Sequence, residues 1–168
     1  MTRSRLMLFA GLIIFILIAI IILLTAALTP QNTNPAFATA VDFINAAGTG
    51  DDETAFALLD ATMQDYVNAT CPDSRVSACI QPYTPPEWGA FKSAVFRRSV
   101  PDGTQAWDVD LIATYESGVG FSGVCIYTHI EEVAEEDWRV AGWAGFIHCG
   151  DNASRSMALN PDTPNRAP

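Results

Sequence analysis

The sequence is short of positive charge. Of its 168 residues only nine are Lys or Arg, against nineteen Asp and Glu. A field of that sign repels phosphate backbones and anionic lipid headgroups, which argues against a nucleic-acid partner. Setting aside Arg3 and Arg5 leaves seven basic residues against nineteen acidic ones, a net of −12. Catalytic signatures are missing as well: there is no G-x-S-x-G, no Gly-rich phosphate loop and no H-E-x-x-H. Serine-nucleophile, phosphate-loop and zincin chemistry therefore have no footing. Histidine occurs only at 129 and 148, no Cys precedes Cys71, and no internal repeat is found. The late first cysteine excludes a lipid-modified N-terminal cysteine.

Long apolar runs are not lacking. Leu6 to Leu28 reads LMLFAGLIIFILIAIIILLTAAL, without a charge, an Asn or a Gln. As a helix it measures roughly 34 Å at about 1.5 Å per residue, against a hydrocarbon core of about 30 Å. It is expected to be a transmembrane helix, 6–28, and the membrane its partner. Arg3 and Arg5 place the stub 1–5 in the cytoplasm, because no further Lys or Arg follows until Arg75. The competing reading is a signal peptide cleaved near Thr25-Ala26-Ala27. On the first reading the protein sits in the cell membrane as a single-pass chain. A linker, 29–34, then leads to one extracytoplasmic domain over 35–150. The remainder, 151–168, carries three prolines and no periodicity and is expected to be a disordered tail.

Cys71, Cys79, Cys125 and Cys149 all fall on the side expected to be oxidising, so two disulfides are expected. Four cysteines allow three connectivities. Pairing Cys71 with Cys79 and Cys125 with Cys149 is favoured, since the first closes a short loop and the second lies in consecutive strand candidates.

Periodicity supplies the elements. Asn34 can cap a helix with Pro35 in its first position, running to about Ala47 with Phe37, Ala40, Val41, Ile44 and Ala47 on one face. A second helix starts at Asp51 or Asp52 and carries Phe56, Leu59, Met63 and Tyr66 or Val67. Residues 68–86, with four prolines and two cysteines, predict an irregular loop, and Glu87 to Ala94 a short third helix. Strands are predicted over Ser93–Val100, around Trp107–Tyr115, and over Gly120–Val133 and Trp138–Cys149, the last two forming a hairpin across Glu135-Glu136-Asp137. The fold class is thus α+β, with two or three helices packed on a curved antiparallel sheet behind the membrane helix.

The run AGTGDDETAFALL between two short helices, followed by long strands ending in DWRVAGW, resembles the nuclear-transport-factor-two-like, or cystatin-like, α+β cone. The resemblance covers about 35–150 and implies a conical interior. The class includes dehydratases, isomerases and binding domains without catalysis, and no position here matches its active-site patterns residue by residue.

Candidate sites are few. Asp110 and His129 are the best acid or base candidates, with Trp107, Tyr115, Tyr127 and Trp143 as possible pocket walls. A Cys125–Cys149 bridge would place opposite each other residues whose numbers sum to 274, Tyr127 with Ile147 and His129 with Gly145. His129 would then share a face with Trp143, and His148 would point the other way. Cys125, His129, His148 and Cys149 look like a ligand set, but neighbours 148 and 149 point oppositely and the cysteines are expected to pair, so no metal and no cofactor is expected. Asn68-Ala69-Thr70 and Asn152-Ala153-Ser154 match the glycosylation sequon.

The expectation is a membrane-tethered, non-catalytic module that binds a protein partner or small ligand. The alternatives are a small-molecule lyase or isomerase using Asp110 or His129, and a structural spacer or assembly element.

Overall fold

The computed structural model describes residues 14–20, 34–117 and 123–168. The chain divides into two compact units, Met1–Thr33 and Asn34–Pro168. In the first, residues 14–20 form helix α1. Among the described residues no helix is long and apolar enough to cross a membrane. The expected fold class is corrected on this point. The rest of 6–28, the stub 1–5 and all of the linker except Asn34 lie outside the described residues.

The second unit is an α+β domain. Helix α2 spans Pro35–Thr49; the Asn34 side chain accepts from the Ala36 amide at 3.0 Å, and Gly50 closes the helix in the left-handed region at φ 79. Its buried face runs through Ala36, Ala40, Phe43, Ile44 and Ala47. Phe37 and Val41 sit at the margin of that face, half-buried.

The second predicted helix is two helices, α3 (Asp52–Ala57) and α4 (Ala61–Thr70). The break at Leu58–Asp60 has a physical cause. Val140 donates to Leu58 O at 2.9 Å and accepts from the Asp60 amide at 3.0 Å, so these backbone groups serve the sheet instead of the helix. Asp60 then starts α4 by accepting from the Met63 amide at 2.7 Å. Asp60→Ala is expected to cost about 1 kcal/mol, read as a lower urea midpoint with an unchanged m-value.

The segment 68–86 is more ordered than its prolines suggested. It holds α5 (Val76–Ile80) and two three-ten turns, with Cys71 and Cys79 joined by a disulfide and Val76 and Ile80 in the core. Ser77 ties it down, its amide and hydroxyl donating to the two Asp52 oxygens at 2.7 and 2.8 Å. The helix expected over Glu87–Ala94 is only a turn, Pro86–Trp88, ended by Gly89 at φ 72. The domain thus has four α-helices among the described residues, not two or three, and α1 makes five in all.

The sheet is an antiparallel meander in the order β1 (Phe91–Pro101), β2 (Ala106–Tyr115), β3 (Val124–Ala134), β4 (Asp137–His148). Its inner face buries Val109, Leu111, Ile126, Ile130, Val140 and Trp143 in one core with the helices. Trp143 lies 5.4 Å from Phe43 and 6.1 Å from Tyr66, ring centre to ring centre.

The expected β3–β4 register is not the observed one. Cys125 stands opposite Ile147, Tyr127 opposite Ala144, Thr128 opposite Trp143 and His129 opposite Gly142. The pairing slips between Cys125 and Ile126, where Gly145 and Phe146 adopt φ 114 and 54. This bulge uses up residues on β4, so Cys149 falls past the strand end and its disulfide with Cys125 joins residues that are not direct partners. Trp143 consequently faces the helices, away from His129.

The tail is also corrected. Residues 151–168 form a strap across the outer face of the sheet, with Met157 buried against Cys125, Tyr127 and Ala144. Gly145 donates to Pro164 O at 3.0 Å and Ala167 to Trp143 O at 2.8 Å. The Arg166 guanidinium holds the strap's own turn through the carbonyls of Met157 (3.0 Å) and Asn160 (3.2 Å). An irregular strap fixed by one side chain and by the far side of β4 has no period to read.

Candidate functional site

Among the described residues a cavity lies on either side of the sheet. The larger, about 410 Å³, opens where the end of α2, the disulfide-pinned segment and the starts and ends of β1 and β2 meet; Gly48, Thr49, Arg75, Gln81, Phe91 and Tyr115 line it. Gly48 matters because a Cβ there would stand 2.6 Å from the Phe91 ring, so glycine lets that ring close over the helix end. Tyr115 is 7% exposed, with its ring 5.3 Å from Trp88 and 5.6 Å from Phe91. Its hydroxyl is buried and has no hydrogen-bond partner among the described residues. Burial pushes its pKa up to about 12, so it is a neutral donor and acceptor at ordinary pH.

Of the four aromatic residues expected to wall a pocket, Tyr115 alone lines this cavity. Trp143 is core, and Trp107 packs edge-on against Phe37 at 5.1 Å. Tyr127 is on the other side of the sheet, in the cluster under the strap.

That outer face carries the polar constellation. Asp108 Oδ1 accepts from the Tyr127 hydroxyl at 2.8 Å and lies 2.7 Å from His129 Nδ1, while His129 Nε2 is 3.2 Å from Glu131 Oε1. Desolvation, and after it the bond to Asp108, raises the Tyr127 pKa, so this hydroxyl stays a donor. Asp110 stands opposite Tyr127 and is ion-paired with Arg98. Between this face and the strap lies the second cavity, about 290 Å³, lined by Arg98, Val100, Asp108, Asp110, Met157 and Leu159 among others.

The two acid or base candidates therefore sit opposite the helix-covered side, and neither lines the larger cavity with Tyr115. The residue that sequence reasoning undervalued is Asp108. Period two placed Asp108 and Asp110 on one polar face, but which of them meets His129 depends on how β2 and β3 align across residues 116–123. The observed register puts Asp108 directly opposite His129. The cysteines of the suspected metal set are disulfide-bonded, so they offer no thiolate.

Fold and geometry together define a small, doubly disulfide-bonded α+β domain with a cavity on either side of one sheet. Comparison with known protein families, with curated proteins and with solved structures finds no match.

Proposed function

We propose that the domain is an extracytoplasmic, non-catalytic binding module of the cone type that takes a small polar ligand in the 410 Å³ cavity. The observation that carries this is Tyr115, which lines the cavity and whose buried hydroxyl has no partner among the described residues. An unsatisfied buried hydroxyl costs roughly 1–3 kcal/mol, and a ligand that bonds it recovers that cost. Arg75, Ser77, Gln81 and Thr84 supply polar groups to the lining, and Phe91 and Ile80 supply apolar wall. The two disulfides support an oxidising compartment. A lyase or isomerase using Asp110 or His129 finds less support, because both lie across the sheet from this cavity.

The test separates stability from binding. Tyr115→Phe removes only the hydroxyl, so the free protein is expected to be as stable as the parent or more so. Affinity for the probe 8-anilinonaphthalene-1-sulfonate, followed by fluorescence, is expected to fall about tenfold, the equivalent of one hydrogen bond of about 1.4 kcal/mol. Unchanged probe affinity in Tyr115→Phe, or no saturable binding by the parent, removes the reading.

A further inference from the structure

The outer-face constellation belongs to neither cavity wall alone, and the binding reading above makes no use of it. We propose that Asp102, Asp108 and His129 form a divalent transition-metal site, with Zn²⁺ as the ion it suits best. One oxygen from each aspartate and one ring nitrogen of His129 all lie within 4.8 Å of one another, the spacing of groups that can converge on one small cation. The three come from different elements. Asp102 belongs to the β1–β2 turn, where its amide donates to Ala106 O at 2.9 Å, and Asp108 and His129 are directly paired residues of β2 and β3. The sheet thus fixes two ligands and the turn presents the third.

A second observation, outside the three ligands, points the same way. Metal-binding histidines give their other ring N–H to a carboxylate, and ligating carboxylates are themselves hydrogen-bonded. Here His129 offers Nδ1 towards the aspartates while Nε2 lies 3.2 Å from Glu131. Asp108 is in turn fixed by the Tyr127 hydroxyl at 2.8 Å. Both ligands from the strands therefore carry the outer partners that set ring and carboxylate orientation.

Arg98 takes Asp110 out of consideration, since their ion pair neutralises that carboxylate. Asp108 pairs with no Lys or Arg among the described residues: its 2.7 Å neighbour is the His129 ring, which as a neutral imidazole can turn the Nδ1 lone pair to a cation, and Asp102 has no ion-pair partner among them. Donor type selects the ion: imidazole with carboxylates suits zinc or manganese, whereas calcium and magnesium prefer all-oxygen shells. Three protein ligands on an accessible face leave a coordination position for water or another donor.

Titration calorimetry of the full chain with ZnCl₂, after dialysis against a chelator, tests the site. One Zn²⁺ per chain is expected, with CaCl₂ giving no saturable heat. Asp108→Asn and His129→Gln are each expected to weaken zinc binding more than tenfold, and Glu131→Gln about tenfold. His148→Gln leaves it unchanged. Far-UV circular dichroism of each metal-free variant establishes that it is folded. The proposal is overturned by absence of zinc binding, by binding that survives in both Asp108→Asn and His129→Gln, by loss in His148→Gln, or by tighter binding of calcium than zinc. Probe binding at the Tyr115 cavity is read separately, so either proposal can fail alone.

Discussion

Trp143→Ala is expected to lower stability by about 3–5 kcal/mol, because an indole removed from a closed core leaves a void that its neighbours fill only in part. Trp143 is 1% exposed and lies between Phe43 of α2 and Tyr66 of α4, so both helices lose an aromatic contact with β4 at once. Folded domains of this size have roughly 5–15 kcal/mol in total, so a large part of the reserve disappears. Thermal denaturation should show a midpoint lower by more than 10 °C. Trp143→Phe should be far milder. The indole Nε1 is buried without a partner among the described residues, and phenylalanine removes that donor while keeping an aromatic ring. If the two variants lose equal stability, the ring is not what joins helices to sheet.

The second large effect is expected from the paired substitution of Cys125 and Cys149 by alanine. The bridge spans 24 residues, and constraining a loop of that length in the unfolded chain is worth roughly 3–3.5 kcal/mol. Cys125 is also packed against Tyr127, Ala144 and Met157 under the strap, so its loss loosens the outer cluster too. Removing the Cys71–Cys79 bridge, which spans 8, should cost less, roughly 2.5 kcal/mol. Guanidinium denaturation of the two double variants gives the order directly. A greater loss for the shorter loop would show that local ordering of the segment around α5 outweighs loop length.

The sequence was readable where one residue type dictates one local geometry. Asn34 followed by Pro35, and Gly50 after Thr49, mark both ends of α2, and the structure uses them so. The alternation from Trp107 to Tyr115 separates inner Val109, Leu111 and Ala113 from outer Asp108 and Asp110, as expected of a half-buried strand. The cysteine pairing also agrees with loop economy.

What escaped was decided by contacts distant in sequence. Nothing around Leu58 announces a helix break, since the break exists for Val140, 82 residues further on. The β3–β4 register could not be taken from Cys125 and Cys149, because a disulfide limits distance without requiring its cysteines to be strand partners. The bulge at Gly145 and Phe146 puts Trp143 on the core side, and the separate β2–β3 register sets His129 opposite Asp108. Residues 151–168 gave no signal, because a strap takes its order from the surface beneath it. Tyr115 was found as an aromatic of the inner face, but its unpartnered hydroxyl is visible only in three dimensions.

The bonds along the far side of β4 have a consequence for assembly. Leu58, Asp60, Pro164 and Ala167 occupy the backbone groups of Val140, Trp143 and Gly145, so one margin of the sheet is sealed. At these three residues β4 offers no free backbone group to an added strand, and on the opposite margin the Ala94 amide of β1 is taken by Asn45 Oδ1 at 2.8 Å. Both margins of the sheet are thus partly covered by the chain itself, the device by which exposed strand edges are kept from pairing with another molecule.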